Sequence, residues 1–433
     1  MDTFKENALN TIGPAIIVLV CTVFYLSKKK QPKKEINEEL LNERILTYKP
    51  EPLIDYSKIH YDNKDIEIPA PDESIPGCLN LAKVNYFNFL NNHEFRKEAE
   101  VCIKKYGVGS CGPRGFYGTV DVHLTLESRL AKFLQMEESV LYSYGFSTIS
   151  SAISAYCKKS DIIFCDEKIS FAAAQGFLAA KSQVVYFKHN DTNDLEEKLK
   201  EYEKKGKHKK RMSKFLIVEG IYASTGTICP LPKLMEIREK YKLRIFIDES
   251  LSFGVLGKEG RGVTEHFGID RSDVDMIMGS LEGSLGSIGG FGVGASIVVE
   301  HQRLSSLGYC FSASLPPFLS QVAVCALDIF ENNPGIFGEL ETICVKVDRQ
   351  LRSLEHYNVI SDPLSPLKVI TTKEVDNRFE KITLIHRVCT SKNIYMVNAD
   401  GYLKLNVSIV LDDSDIEKLL TTLKEAALIC NDN

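Results

Sequence analysis

Residues 279–291 read GSLEGSLGSIGGF, a stretch in which glycine and serine occupy most of the positions. It follows the apolar run VDMIM at residues 274–278, which predicts a buried strand. So many small residues disfavour a helix and are typical of a strand end that turns into a tight loop, where the backbone approaches another group closely. We therefore expect residues 279–291 to line a site at the carboxyl end of a strand.

The chain around this loop alternates short apolar runs with amphipathic segments. The apolar runs lie at residues 140–144, 162–165, 184–187, 215–218 and 245–247, and the amphipathic segments at residues 171–181, 194–204 and 231–240. This alternation predicts an α/β fold with a mainly parallel sheet that is covered by helices on both faces. Ligands of such sheets bind at the carboxyl ends of the strands.

The C-terminal part has a different pattern. A long helical stretch at residues 319–357 is followed by shorter strand-like runs and by a final amphipathic segment at residues 415–429. We predict four segments in all: an N-terminal anchor at residues 1–30, a linker at 31–78, a large domain at 79–315 and a smaller α/β domain at 316–433.

The N-terminus carries a candidate membrane anchor. Residues 9–26 (LNTIGPAIIVLVCTVFYL) are almost wholly apolar, and a lysine-rich segment, residues 28–34, follows them. A single helical span needs roughly 20 residues to cross a hydrocarbon core of ~30 Å. Because the lysines follow the span, they place the rest of the chain in the cytosol. A cleaved signal peptide would have the reverse order, with its positive charge first, so we predict an uncleaved single-pass helix.

Composition excludes several classes of function. The net charge of −5 gives no reason to expect nucleic acid as a partner. The 12 cysteines contain no C-x-x-C pair, which predicts reduced thiols in a cytosol-facing domain. The nine histidines show no metal-binding spacing, so no metal site is expected.

Three stretches resemble the α-oxoamine synthases, which use pyridoxal phosphate (PLP) to join an amino acid to an acyl-CoA. They are residues 106–127 (YGVGSCGPRGFYGTVDVHLTLE), 247–268 (IDESLSFGVLGKEGRGVTEHFG) and 308–317 (GYCFSASLPP). The resemblance extends from about Leu79 to the C-terminus and implies the PLP-dependent transferase fold type I. In that family a lysine in the loop equivalent to residues 279–291 holds PLP as a Schiff base.

This chain lacks that lysine. Gly283 occupies its position, and no lysine occurs between Lys258 and Lys346. The resemblance therefore implies a member of a PLP-dependent family without its covalent anchor.

The other catalytic positions of the family are only partly kept. Asp248 matches the aspartate that keeps the pyridine nitrogen of PLP protonated. Leu251 and residues 169–172 (ISFA) stand where family members have histidines. His123 matches a histidine that stacks on the pyridine ring, or it is a hydrogen-bonded structural histidine in a chain that holds no cofactor. Lys404 replaces an arginine that clamps the substrate carboxylate, and it lacks the bidentate fork of arginine.

Enzymes of this family are dimers whose active sites lie at the subunit interface, so a lysine-bearing partner would bind PLP and this chain would complete the walls. Cys111 and Arg114, in the glycine-rich residues 106–118, are candidates to face the partner. Ser312 and Ser314 precede a predicted helix and could reach the phosphate of the partner's PLP. The simpler roles are a packed thiol for Cys111 and helix N-caps for the serines.

The resemblance thus predicts a non-lysine subunit of a PLP-dependent acyltransferase that is inactive alone. It implies a single-pass protein of the endoplasmic reticulum membrane whose body faces the cytosol, and it leaves room for small regulatory membrane subunits. Two alternatives stay open at this point: a self-sufficient PLP enzyme that uses another lysine, and a purely structural membrane scaffold.

Overall fold

A seven-stranded sheet organises most of the chain. The computed structural model describes residues 77–204, 212–374 and 376–431. In chain order the strands are β1 Leu79–Asn80, β2 Glu138–Tyr142, β3 Ile162–Asp166, β4 Gln183–Phe187, β5 Lys214–Glu219, β6 Arg244–Asp248, β7 Met276–Ser280, β8 Gly290–Gly294, β9 Tyr357–Val359, β10 Leu367–Thr372, β11 Ile394–Tyr395, β12 Val397–Ala399 and β13 Tyr402–Asn406.

Helices connect these strands and cover them. In chain order they are α1 His93–Tyr106, α2 Asp121–Leu134, α3 Gly145–Tyr156, α4 Phe171–Ala180, α5 Thr192–Lys204, α6 Leu231–Tyr241, α7 Val263–His266, α8 Glu282–Leu285, α9 Ser296–Ser305, α10 Leu307–Cys310, α11 Pro317–Asn332, α12 Gly335–Arg352, α13 Arg378–Ser391 and α14 Asp413–Asn431. Short 3-10 turns occur at Phe89–Asn91 and Arg271–Asp273.

The predicted membrane anchor and linker lie outside the described residues. Within the described ranges, no helix is both long enough and apolar enough to cross a membrane.

The large sheet has the strand order β2-β8-β7-β6-β5-β3-β4. Strand β8 is antiparallel to both of its neighbours, and the other pairings are parallel. The prediction of a mainly parallel α/β sheet is therefore confirmed. Because β2 and β7 both run antiparallel to β8, they run in the same direction, and the carboxyl ends of all the parallel strands meet at one edge.

The sheet forms because its strands are apolar on both faces. In β5, Leu216 and Val218 belong to the main core cluster, whereas Phe215 and Ile217 belong to a second cluster. Since successive side chains of a strand point to opposite faces, the two clusters lie on the two faces of the sheet. This is why the central strands read as nearly continuous apolar runs.

A second sheet lies in the C-terminal part. It has the order β12-β13-β10-β9 and is antiparallel throughout. The N-terminal strand β1 pairs in parallel with β11, where Leu79 is opposite Ile394. The domain boundary expected near residue 316 stays a prediction.

Two local predictions were wrong. The helical stretch expected at residues 319–357 is two helices. The first, α11, ends at Asn332, and Pro334 precedes the second, α12. Proline has no N–H group to continue a helix. Residues 279–291 were expected to exclude a helix, yet they contain the single turn α8. One bond from the Gly286 N–H to the Glu282 carbonyl (3.2 Å) closes this turn, and Gly286 ends it with a φ of 60°.

Candidate functional site

Gly283, which the resemblance places at the family's lysine position, lies in α8, directly after β7. A Cβ atom built on Gly283 would lie 2.8 Å from Cε2 of Tyr86 and 3.4 Å from Cγ1 of Val84. Tyr86 is buried, and its N–H donates to the Gly283 carbonyl (3.4 Å). Its own carbonyl accepts from the Ile409 N–H (2.9 Å) and from the Ser408 hydroxyl (3.1 Å). The N-terminal segment therefore fills the space that a side chain at position 283 would need.

Asp248 ends β6 and is paired with Glu219 at the end of β5. The Asp248 carboxylate accepts from the Ser250 N–H (2.9 Å) and hydroxyl (2.5 Å). Burial raises the pKa of Asp248 to about 6. Burial, and then the charge of Asp248, raise the pKa of Glu219 well above its ordinary value. Two buried carboxyl groups thus lie on neighbouring strands at the carboxyl edge of the sheet.

The sequence analysis missed Glu219. Its carboxyl oxygens accept from the N–H groups of Ser170 (2.5 Å) and Ala223 (2.8 Å), so it joins the loops that follow β3 and β5. The available signal was its position at the end of an apolar strand that neighbours the strand of Asp248.

Lys404 faces the same edge from β13. Its Nζ donates to the Ala223 carbonyl (3.1 Å). Burial lowers the pKa of Lys404, although the nearby Asp400 and Glu219 act in the opposite direction. The structure therefore brings Lys404 and Glu219 to the same loop after β5.

A second group of candidates lies where two loops meet, at residues 107–119 and 311–316. The Ser314 N–H donates to the Gly112 carbonyl (2.9 Å), and the hydroxyls of Ser314 and Ser110 are 2.7 Å apart. These bonds join the two loops into one surface, which the sequence predicted only as two separate candidates.

His123 ties α2 to the second loop. Its Nδ1 accepts the Val120 N–H (3.1 Å), so its Nε2 carries the proton and donates to the Leu315 carbonyl (2.7 Å). The ring is fully buried, and burial lowers the pKa of His123 to about 4. These are the contacts of a neutral, hydrogen-bonded structural histidine, the second of the two roles considered for it.

Arg114 points inward. Its Nη1 and Nη2 donate to the two carboxylate oxygens of Glu127 (2.9 and 3.0 Å), and its Nε donates to the Thr119 hydroxyl (2.9 Å). The residue is only 7% exposed. The guanidinium of Arg114 therefore anchors residues 107–119 to α2. A direct role of Arg114 at an interface stays a prediction.

Cys111 and Ser312 lie on the outer side of the loops. Cys111 is an exposed free thiol with a φ of 53°. The Ser312 hydroxyl donates to the Gly308 carbonyl, within its own chain segment. Neither observation tests a contact with a partner, so their proposed roles there stay predictions.

Large apolar side chains are exposed on both loops. They are Val108, Phe116, Tyr117 and Phe311, which we call the loop patch, and Tyr117 is completely exposed. Tyr117 also has a positive φ of 63°. Non-glycine residues held in this region of backbone space cluster at functional sites, and a contiguous apolar surface is typical of a protein interaction site.

The six predicted site residues therefore fall into two places. The joined loops hold Cys111, Ser312 and Ser314, with Arg114 and His123 beneath them, whereas Asp248 ends β6 beside Glu219. At the second place, Gly283 offers no amino group, Tyr86 closes the space, and a carboxyl oxygen of Asp248 accepts from Ser250. The residues at the Gly283 position do not fit a covalently held PLP.

Comparisons with known proteins agree with this fold. Residues 76–350 match the family of class I and II aminotransferases. The chain is 45% identical over 403 residues to serine palmitoyltransferase 1 of Dictyostelium discoideum, covering 88% of this chain and 83% of that protein. It is 34% identical over 438 residues to long chain base biosynthesis protein 1 of Arabidopsis thaliana, covering 96% and 90%.

Solved structures have the same fold. A serine palmitoyltransferase of Sphingomonas wittichii superposes with a TM-score of 0.74 at 23% identity, over 81% of this chain and 88% of that one. The 8-amino-7-oxononanoate synthase of Francisella tularensis superposes with a TM-score of 0.69 at 22% identity, over 83% and 99%. By its sequence relatives and its fold, the chain belongs to the class I and II aminotransferase family of PLP-dependent proteins, in the group of serine palmitoyltransferase 1 and long chain base biosynthesis protein 1.

Proposed function

We propose that this chain is the subunit of serine palmitoyltransferase that does not anchor PLP, and that it works with a lysine-bearing catalytic partner. Its role lies in the synthesis of sphingolipid long-chain bases, as the names of its relatives indicate. The assembly condenses L-serine with palmitoyl-CoA to 3-ketodihydrosphingosine and releases CO2 and CoA. PLP, bound by the partner, supplies the electron sink for the carbanion of serine.

The observation that carries this proposal is the closed lysine position. Gly283 has no side chain, and Cε2 of Tyr86 lies 2.8 Å from where the first carbon of one would be. A subunit with this loop contributes to the reaction by completing a site that another chain provides.

The joined loops support the partner part of the proposal. The loop patch exposes four large apolar side chains on a backbone that Arg114 and Glu127 hold in place. A rigid apolar surface loses little conformational freedom when a partner covers it. In the assembly these loops form a wall of the partner's site, with Cys111, Ser312 and Ser314 on them.

The membrane part of the proposal rests on the sequence. The anchor at residues 9–26 holds the chain in the endoplasmic reticulum membrane, with the described residues in the cytosol. A long acyl-CoA substrate and its apolar product both favour the bilayer surface, and small regulatory membrane subunits would meet the complex there.

Mapping the covalent PLP lysine tests the proposal. The purified complex is reduced with borohydride, digested, and searched by mass spectrometry for pyridoxyl-lysine. We expect the modified lysine on the partner and none on this chain. A pyridoxyl-lysine on this chain at half of the PLP content or more would overturn the proposal.

One observation favours the alternative of a self-sufficient enzyme. Lys404 is a half-buried lysine with a lowered pKa, close to the loop after β5. The same mapping decides this point, because Lys404 is then the modified residue and Lys404→Arg removes the label.

A further inference from the structure

Arg271 is a buried arginine outside both places described above. It begins the 3-10 turn Arg271–Asp273 that leads into β7, and it is only 8% exposed. Its Nη1 donates to the side-chain oxygen of Gln135 (3.0 Å), just after α2. Its Nε and Nη2 have no hydrogen-bond partner among the described residues.

These two nitrogens form one edge of the guanidinium. Their N–H groups point in parallel, which is the geometry that binds oxyanions and carboxylates through two bonds at once. A buried donor without a partner is unfavourable, and a buried charge without a counter-ion is more so. An unoccupied edge of this kind in a native protein calls for a water molecule or an ion.

The nearest carboxylates are already used elsewhere. Glu265 lies close enough to act on the charge of Arg271. Its two oxygens, however, accept from the N–H groups of Glu259 (3.0 Å) and Arg261 (2.9 Å). Arg261 adds a second positive charge to this region.

Asp270 also acts on the charge of Arg271, and one Asp270 oxygen accepts from the Ser272 N–H (2.9 Å). Glu249 is the third carboxylate in range. Its oxygens accept from the Val263 N–H (3.0 Å) and from the Ser252 hydroxyl. Burial raises the pKa of Glu249 to about 7, so it carries only part of a negative charge at neutral pH. Arg271 therefore has no hydrogen-bonded counter-ion among the residues that the structure describes.

An unpaired hydroxyl lies in the same part of the chain. Thr264, on α7, is fully buried, and its hydroxyl has no hydrogen-bond partner in the described ranges. The segment from α7 to Arg271 is short and ordered, since the Ile269 N–H donates to the Thr264 carbonyl (2.9 Å).

We propose that the free edge of Arg271 binds a small monovalent anion, such as chloride, inside the large domain. The charge of the guanidinium favours an anion over water, and a monatomic anion needs the least space beside a side chain that is only 8% exposed. The bound anion neutralises the charge of a guanidinium that itself joins Gln135, at the end of α2, to the segment before β7. This site is independent of the partner and of PLP.

Bromide identifies such a site directly. Crystals of the full-length chain, or of its complex, are soaked in sodium bromide, and anomalous scattering is measured. We expect a bromide peak within hydrogen-bond distance of both Nε and Nη2 of Arg271. A water molecule refined at this edge, in crystals that bind bromide elsewhere, would overturn the proposal.

Thermal unfolding gives a second test in solution. At fixed ionic strength, we expect Tm to fall by roughly 2–4 °C when gluconate replaces chloride, because a ligand that binds only the folded state stabilises it. Arg271→Gln should abolish this difference. Arg129→Gln should keep it, because Arg129 pairs with Asp328 (2.8 Å) and Glu331 (3.1 Å). Equal Tm values in the two salts, or an unchanged difference in Arg271→Gln, would contradict the site, and the wild-type measurement stands even if that variant does not fold.

Discussion

Three loops lie at the same edge of the sheet, at residues 281–289, 107–119 and 311–316. The first differs from the other two in its exposure to solvent. The first is closed from within, because Tyr86 packs against Gly283. The others are held from beneath by Arg114 and expose the loop patch outward. In the proposed assembly the exposed loops meet the partner, whereas the loop at Gly283 leaves no space for a side chain.

The largest effect is expected from the ion pair beneath the loops. Arg114→Met leaves the buried Glu127 carboxylate without its partner, so the free energy of unfolding should fall by about 3–5 kcal/mol. Urea unfolding measures this change. The matched control is Arg129→Met, which breaks partly exposed pairs and should cost less than about 1 kcal/mol. Equal losses in the two variants would mean that the loops are not anchored as described.

Charges on the loop patch should disrupt assembly and leave the fold intact. In Tyr117→Asp/Phe311→Asp, we expect the affinity for the lysine-bearing partner to fall by roughly 10- to 100-fold, since buried aromatic side chains dominate interfaces. The unfolding free energy of the isolated chain should change by less than about 0.5 kcal/mol. Pull-down titration and urea unfolding give the two values. Unchanged affinity would show that the loop patch is not part of the interface.

The packing of Tyr86 against Gly283 predicts that alanine substitutions at two helical glycines change stability in opposite directions. Gly283→Ala should destabilise the chain by about 1–3 kcal/mol, because its methyl group overlaps Tyr86. Gly338→Ala, in α12, adds a methyl group with no atom within 4 Å and should stabilise by about 0.5–1 kcal/mol through helix propensity. If thermal unfolding shifts in the same direction for both variants, the space at position 283 is open and the contrast fails.

The carboxyl groups at the end of β6 and the histidine beneath the joined loops should give stability opposite dependences on pH. Asp248 and Glu249 have raised pKa values in the folded state, about 6 and about 7 against ordinary values of 3.8 and 4.5. Between these limits the folded chain binds more protons than the unfolded one, so their contribution to stability falls as pH rises. His123, whose pKa is lowered to about 4 from 6.5, contributes the opposite slope between pH 4 and 6.5.

Unfolding free energies at pH 5 and pH 7 test this opposition. Asp248→Asn should reduce the excess of stability at pH 5 over pH 7 by on the order of 1 kcal/mol, and His123→Asn should increase it by on the order of 2 kcal/mol. A change in the same direction for both variants would contradict the assigned environments.

Much of the fold could be predicted because the buried parallel strands read as apolar runs, as residues 162–165 and 215–218 do. The assignment of Gly283 to the lysine position rests on the local resemblance and stays a prediction. The turn α8 could not be predicted, since a helix of four residues leaves no periodic pattern in the sequence. Tyr86 was missed because about 200 residues separate it from Gly283, and sequence patterns do not report such contacts. The pairing of Arg114 with Glu127 was missed because Glu127 lies in a helix with no local signal of pairing.

The most direct test compares this full-length chain alone with the chain co-purified with a lysine-bearing subunit. Condensation activity and the visible absorbance of lysine-bound PLP are measured on both samples. We expect the chain alone to be colourless and inactive, and the pair to be yellow and active. A borohydride-reducible absorbance or condensation activity from the chain alone would contradict the assignment of the catalytic lysine to the partner.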